Sequence, residues 1–282
     1  MSNFPNLVSV HWLKEHLLDD DLILLDASMN KSIHGSNAKQ LVKIPTARAF
    51  DFETVFVDKD SALSNMMPSE AVFNLEAKKL GLNKDSLIVV YDQKGIFSCA
   101  RAWYMFHVMG HNKVLILDGG LPAWLDEGYD TVTDHQPSLI TGDFHGKLQA
   151  NAFYNSDFIL ANLQNSALTI LDARAEGRFS GQEDEPREGM SSGHIPNSIN
   201  IPFATLLDGQ RFRPKAELQQ IIAGLTLSKT SQLIFSCGSG VTACVVLFVF
   251  HSLGYSNLTV FDGSWSEWGA NKKFPIATSD LN

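Results

Sequence analysis

The chain has 282 residues, of which 44% are hydrophobic and 19% charged, and its formal net charge at pH 7 is −9. These values exclude a disordered or collagen-like chain, and the acidic balance disfavours nucleic acid and anionic membranes as partners. At this length we expect two domains, each with its own core. No apolar stretch reaches the roughly 18–20 residues that span a bilayer, and the first residues do not resemble a signal peptide. We therefore expect a cytoplasmic protein.

The sequence repeats itself once. "FHVMGHNKVLILDGGLPAW" at 106–124 and "FHSLGYSNLTVFDGSWSEW" at 250–268 share phenylalanine, glycine, aspartate and tryptophan at a constant offset of 144 positions. Upstream, "LILLDAS" at 22–28 resembles "LTILDAR" at 168–174, with an offset of 146. Loops tolerate insertions of a few residues, which explains the drift in offset. The repeat indicates an internal duplication.

Each half alternates short apolar runs with longer helix-like segments, which is typical of a parallel sheet covered by helices. Residues 86–92 and 231–237 are predicted to be central strands, and 113–118 and 258–262 to be later strands. The expected fold class is therefore α/β, with two tandem domains that are each a parallel sheet flanked by helices.

A polar segment without periodicity, residues 130–151, is the best candidate for a linker. We therefore place the first domain at 1–130, the linker at 131–151 and the second domain at 152–282.

The three cysteines are Cys99, Cys237 and Cys244. Their odd number and the absence of C-x-x-C spacing argue against a disulfide framework and a structural zinc site. Reduced thiols fit a cytoplasmic location. Cys99 and Cys244 have apolar helical neighbours and are predicted to be core residues.

Cys237 lies between a predicted strand and a predicted helix over 242–253, in the stretch "IFSCGSGVTAC". In open α/β sheets, functional loops sit where a strand ends and the chain turns into a helix. Gly238 and Gly240 permit positive φ, so backbone N–H groups can curl around the sulfur and stabilise a thiolate or an attached anion. A buried structural cysteine is the alternative, but the surrounding pattern favours a reactive thiol.

Two cysteine chemistries use such a turn. A phosphatase of the C-x5-R type needs an arginine six residues after the nucleophile, and that position is Ala243. Sulfur transfer needs only a turn that holds a persulfide through amide hydrogen bonds, so it is favoured.

The duplicated halves, "HIPNSINIPF" at 194–203, "CGSGVTA" at 237–243 and "FDGSWSEW" at 261–268 together resemble the tandem-domain rhodaneses over nearly the whole chain. Within that family, the cysteine turn is most like that of the bacterial 3-mercaptopyruvate sulfurtransferases. A doubly charged thiosulfate benefits from cations just after the cysteine, and this turn has none.

The resemblance implies a catalytic role for Cys237 and assigns the substrate to two arginines, Arg178 in "ARAEGRFSG" and Arg187 in "DEPREGM". Guanidinium groups suit the recognition of a carboxylate. An ordinary surface arginine at 178 and a local ion pair at 187 are the alternatives. Ser239 is a second catalytic candidate that could equally be a turn residue. The turn residues Gly238, Gly240, Val241 and Thr242 are expected to contact substrate.

The repeat places Asp92 or Gln93 opposite Cys237, so the first domain lacks the nucleophile. Some rhodanese relatives activate the serine through a histidine, but the matching stretch "SALSNMMPSE" has Asn65 and no histidine. His194 is expected to order its own loop. Asp172, Asp262 and Trp265 are expected to be structural.

The resemblance therefore implies sulfur transfer from 3-mercaptopyruvate, through a Cys237 persulfide, to a thiol acceptor such as thioredoxin or to cyanide, with release of pyruvate. No metal or organic cofactor is expected. The alternatives are a thiosulfate:cyanide sulfurtransferase and a non-enzymatic module that binds partners or carries a persulfide.

Overall fold

The structure is a computed structural model that describes residues 4–29 and 42–279. The described residues form two compact units that interleave along the sequence. Unit 1 contains the residues up to Asp60, Met67–Gln149 and Leu207–Pro214, and unit 2 contains Ser61–Met66, Ala150–Leu206 and the residues from Lys215 onward. Each half of the sequence therefore gives one short segment to the unit that the other half builds.

Unit 1 has a five-stranded sheet. The first half of the chain forms β1 (Leu7–Val8), α1 (Val10–His16), β2 (Leu22–Asp26), β3 (Arg48–Ala49), α2 (Glu70–Lys79), β4 (Leu87–Tyr91), α3 (Cys99–Val108), β5 (Val114–Leu117) and α4 (Gly120–Asp126). The strand order is β1-β5-β4-β2-β3, and every pair is parallel. β2 is buried along its whole length, as expected for a parallel strand covered on both faces.

Unit 2 has a sheet of the same design. The second half forms β6 (Phe153–Tyr154), α5 (Ser156–Ala161), β7 (Leu168–Asp172), α6 (Glu176–Ser180), β8 (Ile199–Asn200), β9 (Leu207–Asp208), β10 (Arg211–Phe212), α7 (Lys215–Ala223), β11 (Gln232–Ser236), α8 (Ala243–Ser252), β12 (Leu258–Phe261) and α9 (Ser264–Trp268). The strand order is β6-β12-β11-β7-β8, again parallel throughout. The hairpin of β9 and β10 belongs to unit 1. The two parallel sheets with their helices confirm the predicted fold class.

The segment 131–149, which the sequence predicts as linker, groups with unit 1. Val132 and Lys43 exchange backbone hydrogen bonds of 2.8 and 3.0 Å, and the Phe144 amide donates to the Leu82 carbonyl at 3.0 Å. Phe144 is only 1% exposed. The segment shows no periodicity because single residues anchor an otherwise irregular chain to unit 1.

Asp26, the last residue of β2, anchors the same segment. Its buried carboxylate lies 2.9 Å from His135 Nε2 and accepts from the amide and hydroxyl of Ser28. Burial alone raises the pKa of Asp26, but the hydrogen bonds from His135 and Ser28 outweigh it, so its pKa lies below the ordinary value. A carboxyl group with a lowered pKa in the fold stabilises the folded state above its unfolded pKa, and the stabilisation is lost as the pH falls through the folded pKa.

We expect Asp26→Asn to lower the free energy of unfolding at pH 7 by about 1–3 kcal/mol, because a buried charged hydrogen-bond acceptor is lost. The difference from wild type should shrink as the pH falls below about 4, where the unfolded carboxyl group becomes protonated. Urea unfolding from pH 3 to pH 8 measures both effects, with the exposed Asp126→Asn as control. Equal stability of Asp26→Asn and wild type at pH 7 would contradict the assignment.

Candidate active site

Cys237 directly follows β11, at the carboxyl edge of the unit 2 sheet, and is 1% exposed. The residues from Cys237 to Thr242, here named the cysteine loop, connect this strand to α8. Gly240 has a φ of +73°, in the left-handed region that favours glycine. Gly238, Val241 and Thr242, which the sequence predicts as contact residues, lie in the same loop and therefore close to the thiol.

Ser264 holds the cysteine loop in shape. It is fully buried, and its Oγ accepts from the amides of Cys237 and Gly240 at 3.1 Å each while donating to the Phe261 carbonyl at 2.8 Å. The next residue, Trp265, donates its amide to the Cys237 carbonyl at 3.0 Å. Ser264 is not among the site residues predicted from the sequence. The available signal was a serine where the first half of the repeat has glycine, in "FDGSW" against "LDGGL".

Unit 1 contains a counterpart of the cysteine loop. The residues from Asp92 to Phe97, here named the aspartate loop, follow β4 as the cysteine loop follows β11. Asp92 and Cys237 are 145 positions apart, and so are Cys99 and Cys244. The Cys99 thiol donates to the Gly95 carbonyl at 3.8 Å, and the Cys244 thiol donates to the Gly240 carbonyl at 3.4 Å. In each case the glycine lies in the loop, four residues before the cysteine. The two loops are therefore copies, with an aspartate in unit 1 where unit 2 has Cys237.

The aspartate loop shows which anion such a loop holds. Asp92 Oδ2 accepts from the backbone amides of Phe97, Ser98 and Cys99 at 2.8–2.9 Å. Its Oδ1 accepts from the backbone amide of Lys94 at 2.8 Å. Asp92 is 1% exposed. Convergent amides at the start of a helix form an anion site, and here the chain fills it with its own carboxylate.

The corresponding amides in unit 2 are those of Thr242 and Ala243. Their counterparts Phe97 and Ser98 donate to the carboxylate, whereas Thr242 and Ala243 make no amide hydrogen bond to any residue of 4–29 or 42–279. The cysteine loop therefore offers donors where the aspartate loop holds an anion.

Two arginines lie beside Gly238, the residue after Cys237. A Cβ placed on Gly238 would lie 3.4 Å from Arg178 Nη2, so this guanidinium occupies the space next to Gly238 where a side chain would project. Arg187 Nη1 donates to the Gly238 carbonyl at 3.4 Å and also to Ser266 Oγ. The sequence-predicted arginines are thus both next to the cysteine loop.

The acidic residues near Arg187 do not pair with it in the described part of the chain. Glu185 instead accepts from Arg178 in a two-pronged ion pair and from Arg174 at 2.8 Å. Arg174 is 2% exposed, binds Asp172 at 2.6 Å and stacks over the Trp265 ring at 4.0 Å. Among the described residues no carboxylate forms an ion pair with Arg187, whose guanidinium lies at Gly238, the residue next to Cys237.

Arg174 and Glu185 were not among the predicted site residues. Burial lowers the pKa of Arg174, but Asp172 and Glu185 more than reverse this and raise its pKa above the ordinary value. Arg174 is therefore permanently charged and fixes Glu185, which in turn orients the fork of Arg178. The contacts between these three residues could not be read from their spacing.

Other predicted residues fall where the sequence suggests. Cys99 and Cys244 are fully buried in α3 and α8. His194 Nδ1 lies 2.8 Å from the Phe179 carbonyl, with its ring stacked on Phe179 at 3.8 Å, so its contacts join its loop to α6. Ser239 Oγ is 3.3 Å from Asn65 Nδ2. The residue of this segment that contacts the serine is therefore an asparagine and not a histidine.

Two α/β units of one design, with a cysteine loop at the sheet edge of one and an aspartate loop at that of the other, define a class. This class is a duplicated α/β protein whose second copy has a cysteine in the loop that holds a carboxylate in the first copy.

The sequence matches the rhodanese-like domain over residues 9–127 and again over 157–271. It is 36% identical to 3-mercaptopyruvate sulfurtransferase of Escherichia coli strain K12, covering 95% of this chain and 96% of that protein. It is also 36% identical to the mitochondrial thiosulfate/3-mercaptopyruvate sulfurtransferase 1 of Arabidopsis thaliana, covering 98% of this chain and 79% of that protein. The crystal structure of SseA from Escherichia coli superposes with a TM-score of 0.80 at 33% identity, covering 93% of this chain and 99% of that one. The chain therefore belongs to the rhodanese family.

Among residues 4–29 and 42–279, no helix is both long enough and apolar enough to cross a membrane.

We expect Asp92→Ala to destabilise unit 1 by about 2–4 kcal/mol, because it leaves buried amides without their acceptor. Asp92→Asn, which keeps one acceptor oxygen, should cost less. Urea unfolding at pH 7 ranks the variants, with the exposed Asp85→Asn as control. If Asp92→Ala were as stable as the control, the amides would not depend on the carboxylate.

Proposed function

We propose that this protein transfers sulfur from 3-mercaptopyruvate, with Cys237 as the nucleophile. The observation that carries the proposal is the position of Cys237, in a loop whose copy holds a carboxylate and next to Gly238, at which the guanidinium groups of Arg178 and Arg187 lie. Relatives named 3-mercaptopyruvate sulfurtransferase, similar over nearly their whole length, support it.

The reaction needs no external oxidant. The Cys237 thiolate attacks the sulfur of 3-mercaptopyruvate, a sulfur–sulfur bond forms, and the carbon–sulfur bond breaks with its electrons passing into the enolate of pyruvate. The proton of the substrate thiol ends on the methyl carbon of pyruvate, and the cysteine keeps a persulfide. An acceptor thiolate or cyanide then takes the outer sulfur and restores the thiolate.

The cysteine loop and its arginines can bind the anions that take part in this reaction. The amides of Thr242 and Ala243 suit the outer sulfur of the persulfide, by analogy with the carboxylate held by their counterparts in unit 1. Arg187, whose charge is not neutralised by a described carboxylate, and the remaining N–H groups of Arg178 suit the substrate carboxylate. Gly238, Gly240 and Val241 shape the loop around both groups.

The sulfur donor, 3-mercaptopyruvate or thiosulfate, distinguishes two related activities. No cation lies within the cysteine loop, which favours the singly charged keto acid over thiosulfate. The Arabidopsis relative is named for both donors, so thiosulfate is the second candidate. We propose thioredoxin, another thiol or cyanide as acceptor.

Residues 152–282 are proposed as the catalytic domain and 1–130 as a copy without a nucleophile, joined by 131–151. A cytoplasmic location is proposed because Cys99, Cys237 and Cys244 form no disulfide in the described part of the chain.

Brief exposure of the protein to 3-mercaptopyruvate should add one sulfur to Cys237 and release one equivalent of pyruvate. Intact-protein mass spectrometry with a pyruvate assay measures both, and Cys237→Ser should abolish both. Cys244→Ala, which removes a buried thiol in α8, should retain them. Labelling by thiosulfate alone would assign the second candidate, and no labelling by either donor would leave a binding module.

Arg178→Ala and Arg187→Ala should each raise the KM for 3-mercaptopyruvate about 10- to 100-fold, as expected when a charged hydrogen bond of about 1.5–3 kcal/mol is lost. Lys273→Ala removes an exposed cation of unit 2 and is the matched control for charge. Steady-state pyruvate release gives KM and kcat. An unchanged KM in both arginine variants would move the carboxylate site elsewhere.

A further inference from the structure

Asn65 reaches the cysteine loop from a segment of the first half of the sequence. Ser61–Met66 is part of unit 2, and within it Asn65 has a φ of +64°, a conformation that asparagine tolerates better than most residues. Its side chain is buried, with 5% exposure, and Nδ2 lies 3.3 Å from Ser239 Oγ. Ser239 is 6% exposed and two residues beyond Cys237. The backbone of Asn65 therefore adopts an uncommon conformation that puts its amide on this hydroxyl.

The internal repeat supports a dedicated role for this position. Asn65 and Arg211 are 146 positions apart, and each lies three residues before a proline that precedes a helix. In unit 1 the hairpin containing Arg211 packs on the aspartate loop, because a Cβ on Gly95 would lie only 2.6 Å from Gln210 Cβ. Both halves therefore use this stretch to contact a loop at a sheet edge.

The chemistry of the carboxamide fixes the direction of the hydrogen bond. The Nδ2 group only donates, so Ser239 Oγ accepts and its own proton is directed elsewhere. Within residues 4–29 and 42–279, the Ser239 hydroxyl has no other hydrogen-bond partner. A carboxamide does not titrate near neutral pH, so Asn65 cannot remove the serine proton as an imidazole can.

We propose that Asn65 is a positioning residue that fixes Ser239 as a neutral hydrogen-bond donor to the keto oxygen of the substrate. The inference rests on the proposed sulfur transfer. As the carbon–sulfur bond breaks, electrons move towards that oxygen and the Ser239 hydroxyl stabilises the developing enolate. The serine proton stays on the serine throughout, and the proton that completes pyruvate is the one from the substrate thiol.

Loss of the Asn65 amide should act on the chemical step through Ser239. Asn65→Ala should lower kcat about 10-fold with little change in KM, since misplacing a catalytic group can cost up to about 10²-fold. The same substitution in a Ser239→Ala background should change kcat no further. The neighbouring, exposed Ser64→Ala is the control and should match wild type.

The isosteric Asn65→Asp tests the direction of the hydrogen bond. A carboxylate accepts from Ser239 and withdraws the proton from the substrate, so kcat at pH 7 should fall further than in Asn65→Ala. Activity relative to wild type should recover as the pH falls towards about 4, where the new carboxyl group is protonated and can donate. Circular dichroism and urea unfolding show whether each variant is folded before its kinetics are compared.

Pyruvate release from 3-mercaptopyruvate at pH 4–8 is measured for wild type and all variants. Pyruvate release by the wild type tests the proposed function. The ratio of each variant's kcat and KM to those of the wild type tests the role of Asn65. An active wild type with folded Asn65→Ala at full kcat, a purely KM effect, or additive losses with Ser239→Ala would overturn the inference alone. A wild type that releases no pyruvate would overturn both.

Discussion

The shape of the cysteine loop depends on one buried hydroxyl, that of Ser264. The residue has a φ of +50°, a conformation that costs a residue with a side chain about 1–2 kcal/mol. Three hydrogen bonds through Oγ offset that cost. They connect the amides of Cys237 and Gly240 to Phe261, the last residue of β12. The equivalent residue of unit 1 is Gly120, with a φ of +51°, where a Cβ would lie 2.4 Å from the Asp92 carbonyl. The same positive φ thus occurs in both units. In unit 2 the side chain of Ser264 stabilises it next to the cysteine loop, and in unit 1 it is adopted by Gly120, where the aspartate loop leaves no room for a side chain.

The electrostatics of the site run against those of the chain. A protein with a formal charge of −9 repels anions at long range, yet Arg178 and Arg187 lie at Gly238, the residue after Cys237. Glu185 is shared between Arg174 and Arg178, and Arg174 also binds Asp172, so these two arginines and two carboxylates are neutral together. The net positive charge near the cysteine loop comes from Arg187, which forms no ion pair with a described carboxylate. Because these ion pairs are buried or half-buried, salt screens them less than surface pairs. The attraction for an anionic substrate is therefore local.

Much of the fold could be predicted because its signals are local. The strands and α8 follow from runs of apolar residues, and the helix spans Ala243–Ser252 where the sequence predicts 242–253. The duplication alone places Asp92 or Gln93 opposite Cys237, and the matching contacts of Cys99 and Cys244 identify Asp92 as the counterpart. The contacts that complete the site have no such signal, because Asn65 and Ser239 are 174 positions apart and Ser264 is 27 beyond Cys237. The segment 131–149 shows the same limit, since single anchors such as Phe144 leave no period in a polar stretch.

The exchange of short segments between the halves has a consequence for synthesis and for dissection of the chain. Unit 1 obtains the amide of Phe212, which donates to Asp118 at 3.1 Å, only when the ribosome has made three quarters of the protein. Unit 2, by contrast, has its Asn65 ready before its own sheet exists. A cut anywhere in 131–151 leaves each fragment without a piece of itself. The second half alone would therefore present its cysteine without the side chain that meets Ser239.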